Sequence, residues 1–462
     1  MSGACETKTV DVDSLVKMQR EHLWLHLTNH KMFETQEPQI MVEAKGLIVK
    51  DARGNEYLDA LSGGVWGVSV GYGRESIVDA VAQQLRILPY YAGTVATPPY
   101  IMLADKVSNL LPALPKMYLS NSGSEANEKA FKIARQFMRS KYPAKDKFKI
   151  IYRDRDYHGT TLAALSATGQ NERKVGYGPL LEGFVGMPHA LCYRCAFGKE
   201  YPGCNIDCAQ VLEDVITREG EDSVAAVILE PITAGGGIIP PVKEYYPIIQ
   251  EICRKHDVLL ILDEVVNGFG RTGKMFGHQH YDVDPDMVTL GKGFANSYMP
   301  LSATVAKQYL FDQFLAQPED LTGYFRDIST YGGCTAGCSA ALETIRILEA
   351  EKLVENSAAM GEYLLQGLKE FEKHPMVGQV RGRGLFVGVE MVEDKKTKTP
   401  AKESILAKIV GDVKAQGVIM GRMGRSLPNM NNVLTLAPAL IATKAEIDQI
   451  VGAIGKALGN LK

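Results

Sequence analysis

VAAVILE (Val224–Glu230) and VLLILD (Val258–Asp263) are continuous apolar runs that each end on a carboxylate. Short runs of this kind, rich in branched aliphatic residues, read as strands buried on both faces, the habit of a parallel sheet. Between them, Lys243–Asp257 places Tyr246, Ile249, Ile252 and Cys253 at helical spacing. Strand, helix and strand in so short a span make a βαβ unit. Met287–Leu290 follows as a further strand. Upstream, a strand at Lys116–Leu119, a helix at Ser122–Arg139 and a strand at Phe148–Tyr152 repeat the alternation. The expected fold class is α/β, with a mostly parallel central sheet covered by helices.

The C-terminal third reads differently. Ser339–Lys373 is mainly helical, and Leu385–Met391 is a strand bounded by a turn at Arg381–Gly384. Thr443–Leu458 is a closing helix, with Thr443 and Glu446 spaced as a capping box. Asp394–Lys402 reads as an exposed loop. The expected division is an N-terminal segment (1–62) that joins a small domain, a large α/β domain (63–331) and a C-terminal small α+β domain (332–462).

The chain has 462 residues, with 51 Lys and Arg against 54 Asp and Glu, a net charge of −3. That balance argues against nucleic acid or an anionic membrane as partner, since both call for a basic surface. No run approaches the ~18 apolar residues of a membrane span. Met1–Lys17 has no apolar core of a signal peptide, so a cytoplasmic protein with eight cysteines as thiols is expected. The 45 glycines follow no G-X-Y period and point to tight turns and close backbone–ligand approaches.

Three features carry chemistry. Asn121–Asn127 (NSGSEAN) follows a strand and opens a helix. A helix start offers unpaired N–H groups and partial positive charge to a phosphate, and Gly123 permits close approach. The plainer reading is an N-cap at Ser122 with Glu125 closing a capping box. Asp263-Glu264 ends a wholly apolar strand, where α/β folds bind ligands. Lys292 stands between Gly291 and Gly293 after the next strand, glycines that leave room for a bulky group. A partly desolvated lysine there can condense with an aldehyde. Phosphate cradle, aspartate and lysine on successive βα units are what pyridoxal phosphate requires. Gly268–Gly273 (GFGRTG) matches a dinucleotide-binding spacing, but Lys274–Asp286 has no helical periodicity to follow it, so the match is accidental.

On these residues the chain resembles the class III, omega-amino-acid branch of the fold type I pyridoxal-phosphate aminotransferases, nearly end to end. The resemblance is carried by Asn121–Glu128 (NSGSEANE), Tyr157-His158-Gly159, Glu230-Pro231, Leu262–Gly273 (LDEVVNGFGRTG), Gly291-Lys292-Gly293 and Arg381–Gly384 (RGRG). It implies that Lys292 bonds the cofactor and shuttles a proton, while Asp263 keeps the pyridine nitrogen protonated. Ser122, Gly123 and Ser124 would hold the phosphate. Tyr157 would stack on the ring, with His158, Glu230 and Val265 as further cofactor neighbours. Thr330, in TYGG, would reach the phosphate of a second subunit, which implies a homodimer or dimer of dimers; relatives usually continue Gly-His-Pro where this chain has Gly333-Cys334-Thr335. Trp66 and Tyr157 would line the substrate pocket. Arg422, with Arg425 as rival, would bind the acceptor carboxylate, and one such arginine could serve both half-reactions.

The implied reaction moves the amino group of an omega-amino donor, taurine first, to a keto acid, pyruvate, giving sulfoacetaldehyde and alanine. β-Alanine, γ-aminobutyrate or another amine stands as alternative donor, and an aminomutase or decarboxylase as alternative chemistry. No metal is expected. Cys192, Cys195, Cys204 and Cys208 have a spacing that could hold zinc, with free loop thiols preferred. His22, His26 and His30 would align only if one helix carried all three.

Overall fold

In strand order, 116–120, 302–306, 287–290, 259–263, 224–229, 149–153 and 184–187 form a seven-stranded central sheet. The computed structural model describes residues 11–423 and 432–461. Val224–Leu229 lies between Lys149–Arg153 and Leu259–Asp263, paired in parallel with both. All residues of Val224–Leu229 and Leu259–Asp263 are buried, as their apolar composition requires. The connecting helix, Tyr245–Lys255, buries Tyr246, Ile249, Ile252 and Cys253. Each of the two isoleucines contributes about 1.5–3 kcal/mol when removed from water.

Ser302–Ala306 alone runs against its neighbours, pairing antiparallel with both Lys116–Ser120 and Met287–Leu290. Its five residues (SATVA) are small and carry little strand signal, yet all are buried. The other six strands share one direction, so their C-terminal ends emerge along one edge of the sheet. The loops there carry Asp156–His158, Glu230, Asp263–Val265 and Lys292, the crevice where parallel sheets bind ligands.

Among the described residues, two smaller sheets accompany the central one. Met41–Lys45, Ile48–Asp51 and Glu56–Asp59 are joined by Val418–Ile419, which pairs in parallel with Glu56–Asp59. The other sheet holds Val377–Gly382, Val387–Asp394, Val433–Leu436 and Gly421–Met423. The turn expected at Arg381–Gly384 begins later, because Arg381 and Gly382 still belong to a strand. Arg381 is fixed there by Glu390 at 2.5 Å and by the Gly237 carbonyl at 2.8 Å. The expected loop at Asp394–Lys402 contains a short return strand, Thr399–Pro400, paired with Val392 and Asp394. The closing helix spans Lys444–Gly459 and has the expected capping box: Glu446 accepts from the Thr443 amide at 2.7 Å. The helix Val12–His22 stops before His26 and His30, so the three histidines do not share it. No helix among the described residues is long and apolar enough to cross a membrane.

The glycine-rich turn Gly268–Gly273 is an anchor between layers, and no helix begins there. A Cβ on Gly270 would stand 2.8 Å from Leu440, and one on Gly273 would stand 3.0 Å from the Ala358 backbone. Between these glycines Arg271 is fully buried and donates to the carbonyls of Leu385 (3.0 Å) and Pro438 (2.6 Å) and to Ser62 Oγ (3.0 Å). Burial pushes its guanidinium down to about 10. The glycines thus let C-terminal elements close onto the central sheet.

Close helix packing gives a test of this assembly. A Cβ on Gly361, in the helix Leu353–Lys369, would fall 2.1 Å from the Gly384 backbone, whereas one on Gly452 meets nothing within 4 Å. Gly361→Ala should lose about 1–3 kcal/mol or more to overpacking. Gly452→Ala should gain up to about 1 kcal/mol from helix propensity. Urea unfolding of both variants checks this, and equal stabilities would contradict the packing described.

Candidate active site

Asp263 closes its strand as a buried carboxylate, and three groups satisfy it. Asn127 Nδ2 donates to Oδ2 at 2.8 Å, His158 Nδ1 lies 2.8 Å from the same oxygen, and the Val265 amide donates to Oδ1 at 3.0 Å. Asn127 in turn donates to the His158 carbonyl at 2.7 Å and accepts from Thr289 Oγ1 at 2.8 Å. A carboxylate has about four lone-pair sites, so one remains for a cationic N–H. His158 Nε2 is buried and without a partner among the described residues.

Lys292 follows Leu290 by two residues and adopts φ 44°, in the left-handed region. Such a conformation costs a non-glycine residue of order 1–3 kcal/mol and concentrates at functional sites. Burial holds its ammonium below the ordinary lysine range, against the opposing pull of Asp263 and Glu230. The flanking glycines serve packing rather than leaving space. A Cβ on Gly291 would press on Val265 Cγ1 at 3.2 Å, and one on Gly293 would meet Ser69 Oγ at 2.6 Å. The room expected for a bulky group at these two positions is therefore filled by protein.

The helix Gly123–Lys141 starts against the same place: a Cβ on Gly123 would lie 2.8 Å from Val265 Cγ1. Ser122 caps it, accepting from the Glu125 amide at 3.3 Å. Glu125 does not close the box on Ser122; its carboxylate accepts from the Asn121 amide at 3.2 Å and from Ser329 at 3.2 Å. Ser124 Oγ accepts from the Thr160 amide at 3.0 Å. The first amides of a helix have no partner within it, so this end suits an anion.

Glu230 is buried and accepts from the amides of Tyr157 (3.1 Å) and Ala234 (3.2 Å). Burial, with Asp156 and Asp263 nearby, holds its carboxyl well above the usual range. Asp156 is paired with buried Arg153 at 3.0 Å and accepts from the Glu230 amide at 3.0 Å, which ties two loops together.

Lys292, Trp66, Tyr157 and Arg422 line one cavity of about 290 Å³, with Gln170, Arg173 and Gly235. Trp66 has φ 64° and meets Phe386 edge-on at 5.4 Å; its Nε1 is buried and without a partner among the described residues. Arg422 is ion-paired with Glu403 at 2.9 Å. Arg425 lies outside the described residues. Thr330 is exposed and does not line the cavity, although its neighbour Ser329 bonds the loop at the start of the Gly123–Lys141 helix.

Asn127, Thr289, Gln170 and Arg173 had no role in the sequence reading. A polar residue in the apolar strand Met287–Leu290, and an asparagine early in a helix, were the available signals for Thr289 and Asn127. Cys192, Cys195, Cys204 and Cys208 are free thiols around a small cavity of about 20 Å³. Burial pushes the Cys208 thiol up to about 12. Among the described residues, no group of three or more His, Cys, Asp or Glu could hold a metal ion.

The donor set therefore fits pyridoxal phosphate: a helix start for its phosphate, a carboxylate with spare acceptor capacity for its ring nitrogen and a buried amine for its aldehyde. Comparison with known proteins agrees. A family model described as Aminotransferase class-III matches residues 32–458. The chain is 51% identical over 449 residues, 97% of each chain, to the hypotaurine/taurine–pyruvate aminotransferase of Paracoccus denitrificans. It is also 51% identical over 450 residues to the taurine–pyruvate aminotransferase of Bilophila wadsworthia, covering 97% of this chain and 98% of that one. Among solved structures, a Bacillus anthracis aminotransferase superposes with a TM-score of 0.93 at 39% identity, covering 99% of this chain and 100% of that one. The chain belongs to the class III aminotransferases, a pyridoxal-phosphate-dependent family.

Proposed function

We propose that this enzyme transfers the amino group of taurine to pyruvate by a ping-pong mechanism, yielding sulfoacetaldehyde and alanine. The observation that carries the reading is one cavity joining a buried lysine amine to an arginine guanidinium and an indole wall. Names of relatives at 51% identity support taurine and pyruvate as the pair.

Bound pyridoxal phosphate supplies the carbonyl that takes up the amino group and a ring that draws electrons from the reacting carbon. This chain's residues do the rest. Ser122, Gly123 and Ser124 hold the phosphate at the helix start. Asp263 holds a proton on the ring nitrogen, and Asn127, His158 and the Val265 amide keep its charge in place. Tyr157, His158 and Val265 enclose the ring, and Glu230 positions the Tyr157 loop. Lys292, whose ammonium is disfavoured by burial, takes the proton from the donor carbon and passes it to the cofactor side in the first half-reaction, and carries a proton the opposite way, onto the keto-acid carbon, in the second. Trp66 shapes the donor space, and Arg422 takes the keto-acid carboxylate as a planar fork.

We assign the enzyme to the cytoplasm as a homodimer or dimer of dimers, with Thr330 acting on the neighbouring subunit's phosphate. Exposed apolar side chains at Trp24, Leu27, Ile328 and Tyr331 favour such an assembly. The proposed division runs through residues 1–62, 63–331 and 332–462.

Alanine formation from pyruvate tests the donor: taurine or hypotaurine should outrank β-alanine and γ-aminobutyrate, and a last place for taurine would refute the donor while sparing the chemistry. Lys292→Ala should lower turnover by more than about 100-fold, as loss of a general base requires. Retained activity would remove Lys292 from its role. Asn127→Ala leaves Asp263 short of one donor and should weaken cofactor retention by roughly 5- to 150-fold, the equivalent of about 1–3 kcal/mol for an unmet buried group. Dialysis followed by reconstitution measures it, and unchanged retention would show that Asn127 is dispensable.

A further inference from the structure

The cavity contains a second arginine. Arg173 ends the short helical turn Asn171–Arg173 and lines the same cavity as Lys292 and Arg422. Its guanidinium lies over the Tyr157 ring, 4.6 Å from the centroid, and its Nε donates to Gln170 Oε1 at 2.5 Å. Gln170 is itself buried and fixed by a bond to the Arg155 carbonyl at 3.1 Å. Among the described residues, these partners orient the guanidinium without cancelling its charge, since a ring and an amide are both neutral. Arg422 differs, because Glu403 already pairs with it at 2.9 Å.

Two anions use this cavity in turn: the donor carries a charged group at the end away from its amine, and the acceptor carries a carboxylate next to its ketone. A charge balanced by a carboxylate gives up that partner to bind an anion, whereas a guanidinium held by a ring is already set for one. We propose that Arg173 receives the terminal anionic group of the amino donor, a sulfonate or a carboxylate, and so sets the donor class, leaving Arg422 to the keto acid. This rests on the aminotransferase reading above. It replaces the expectation that one arginine serves both half-reactions.

The test compares wild-type holoenzyme with Arg173→Gln, Arg173→Lys and Arg422→Gln. Propane-1-sulfonate lacks an amine and cannot react, so calorimetry reads its binding alone. Arg173→Gln should weaken propane-1-sulfonate binding by about 10- to 100-fold, the range for hydrogen bonds to a charged group. The ratio of kcat/KM for taurine to that for n-propylamine should fall by a similar factor. Arg173→Lys should recover part of the loss, having the charge without the fork. Arg422→Gln should instead raise the pyruvate KM. An unchanged taurine-to-propylamine ratio in Arg173→Gln, or a loss confined to the pyruvate KM, would overturn the assignment. If wild-type enzyme ignores taurine while Arg173→Gln loses β-alanine relative to n-propylamine, the taurine reading fails and the role of Arg173 stands.

Discussion

A carboxylate taken out of water at the end of a parallel strand must be satisfied from every side, and Asp263 is that group. An unpaired buried charge would cost several kcal/mol, so the surrounding elements have to deliver donors to it. One comes from the helix Gly123–Lys141 through Asn127, one from the loop after Lys149–Arg153, two strands away in the sheet, through His158, and one from the next turn of its own chain through the Val265 amide. The same Val265 presses on Gly123 and Gly291. Phosphate end, ring end and lysine are thereby brought to one place by a single packed cluster.

Glycine has two distinct uses in this arrangement. At Gly123, Gly291 and Gly293 it lets side chains of neighbouring loops touch the backbone around the site. At Gly270 and Gly273 it lets C-terminal elements close over the sheet, with Arg271 clamping the layers. This second use explains why a spacing that resembles a nucleotide-binding loop occurs where no nucleotide chemistry is needed. It also places Phe386, beside the RGRG segment, against Trp66 in the wall of the cavity.

Much of this was legible in the residues, and the exceptions have physical causes. The two apolar runs could only be buried strands, and their order fixes the crevice into which Asp263 and Lys292 emerge. Ser302–Ala306 escaped notice because small residues bury well in any element. Thr289 and Asn127 act through contacts 162 residues apart in sequence, which no local pattern reports. Arg173 had no strand end or glycine turn to single it out, and only the folded chain sets it beside Tyr157. Arg381 failed as a turn residue because a buried ion pair with Glu390 holds it in the sheet.

The central claim is that the site is organised around the negative charge of Asp263, rather than its shape. Asp263→Asn keeps the volume and removes the charge, so the decisive measurement is the single-turnover rate of the taurine half-reaction in that variant with pyridoxal phosphate bound. The account predicts a fall of at least about 100-fold, comparable to the loss of a preorganised electrostatic group. A half-reaction at the wild-type rate, with the cofactor equally retained, would contradict it.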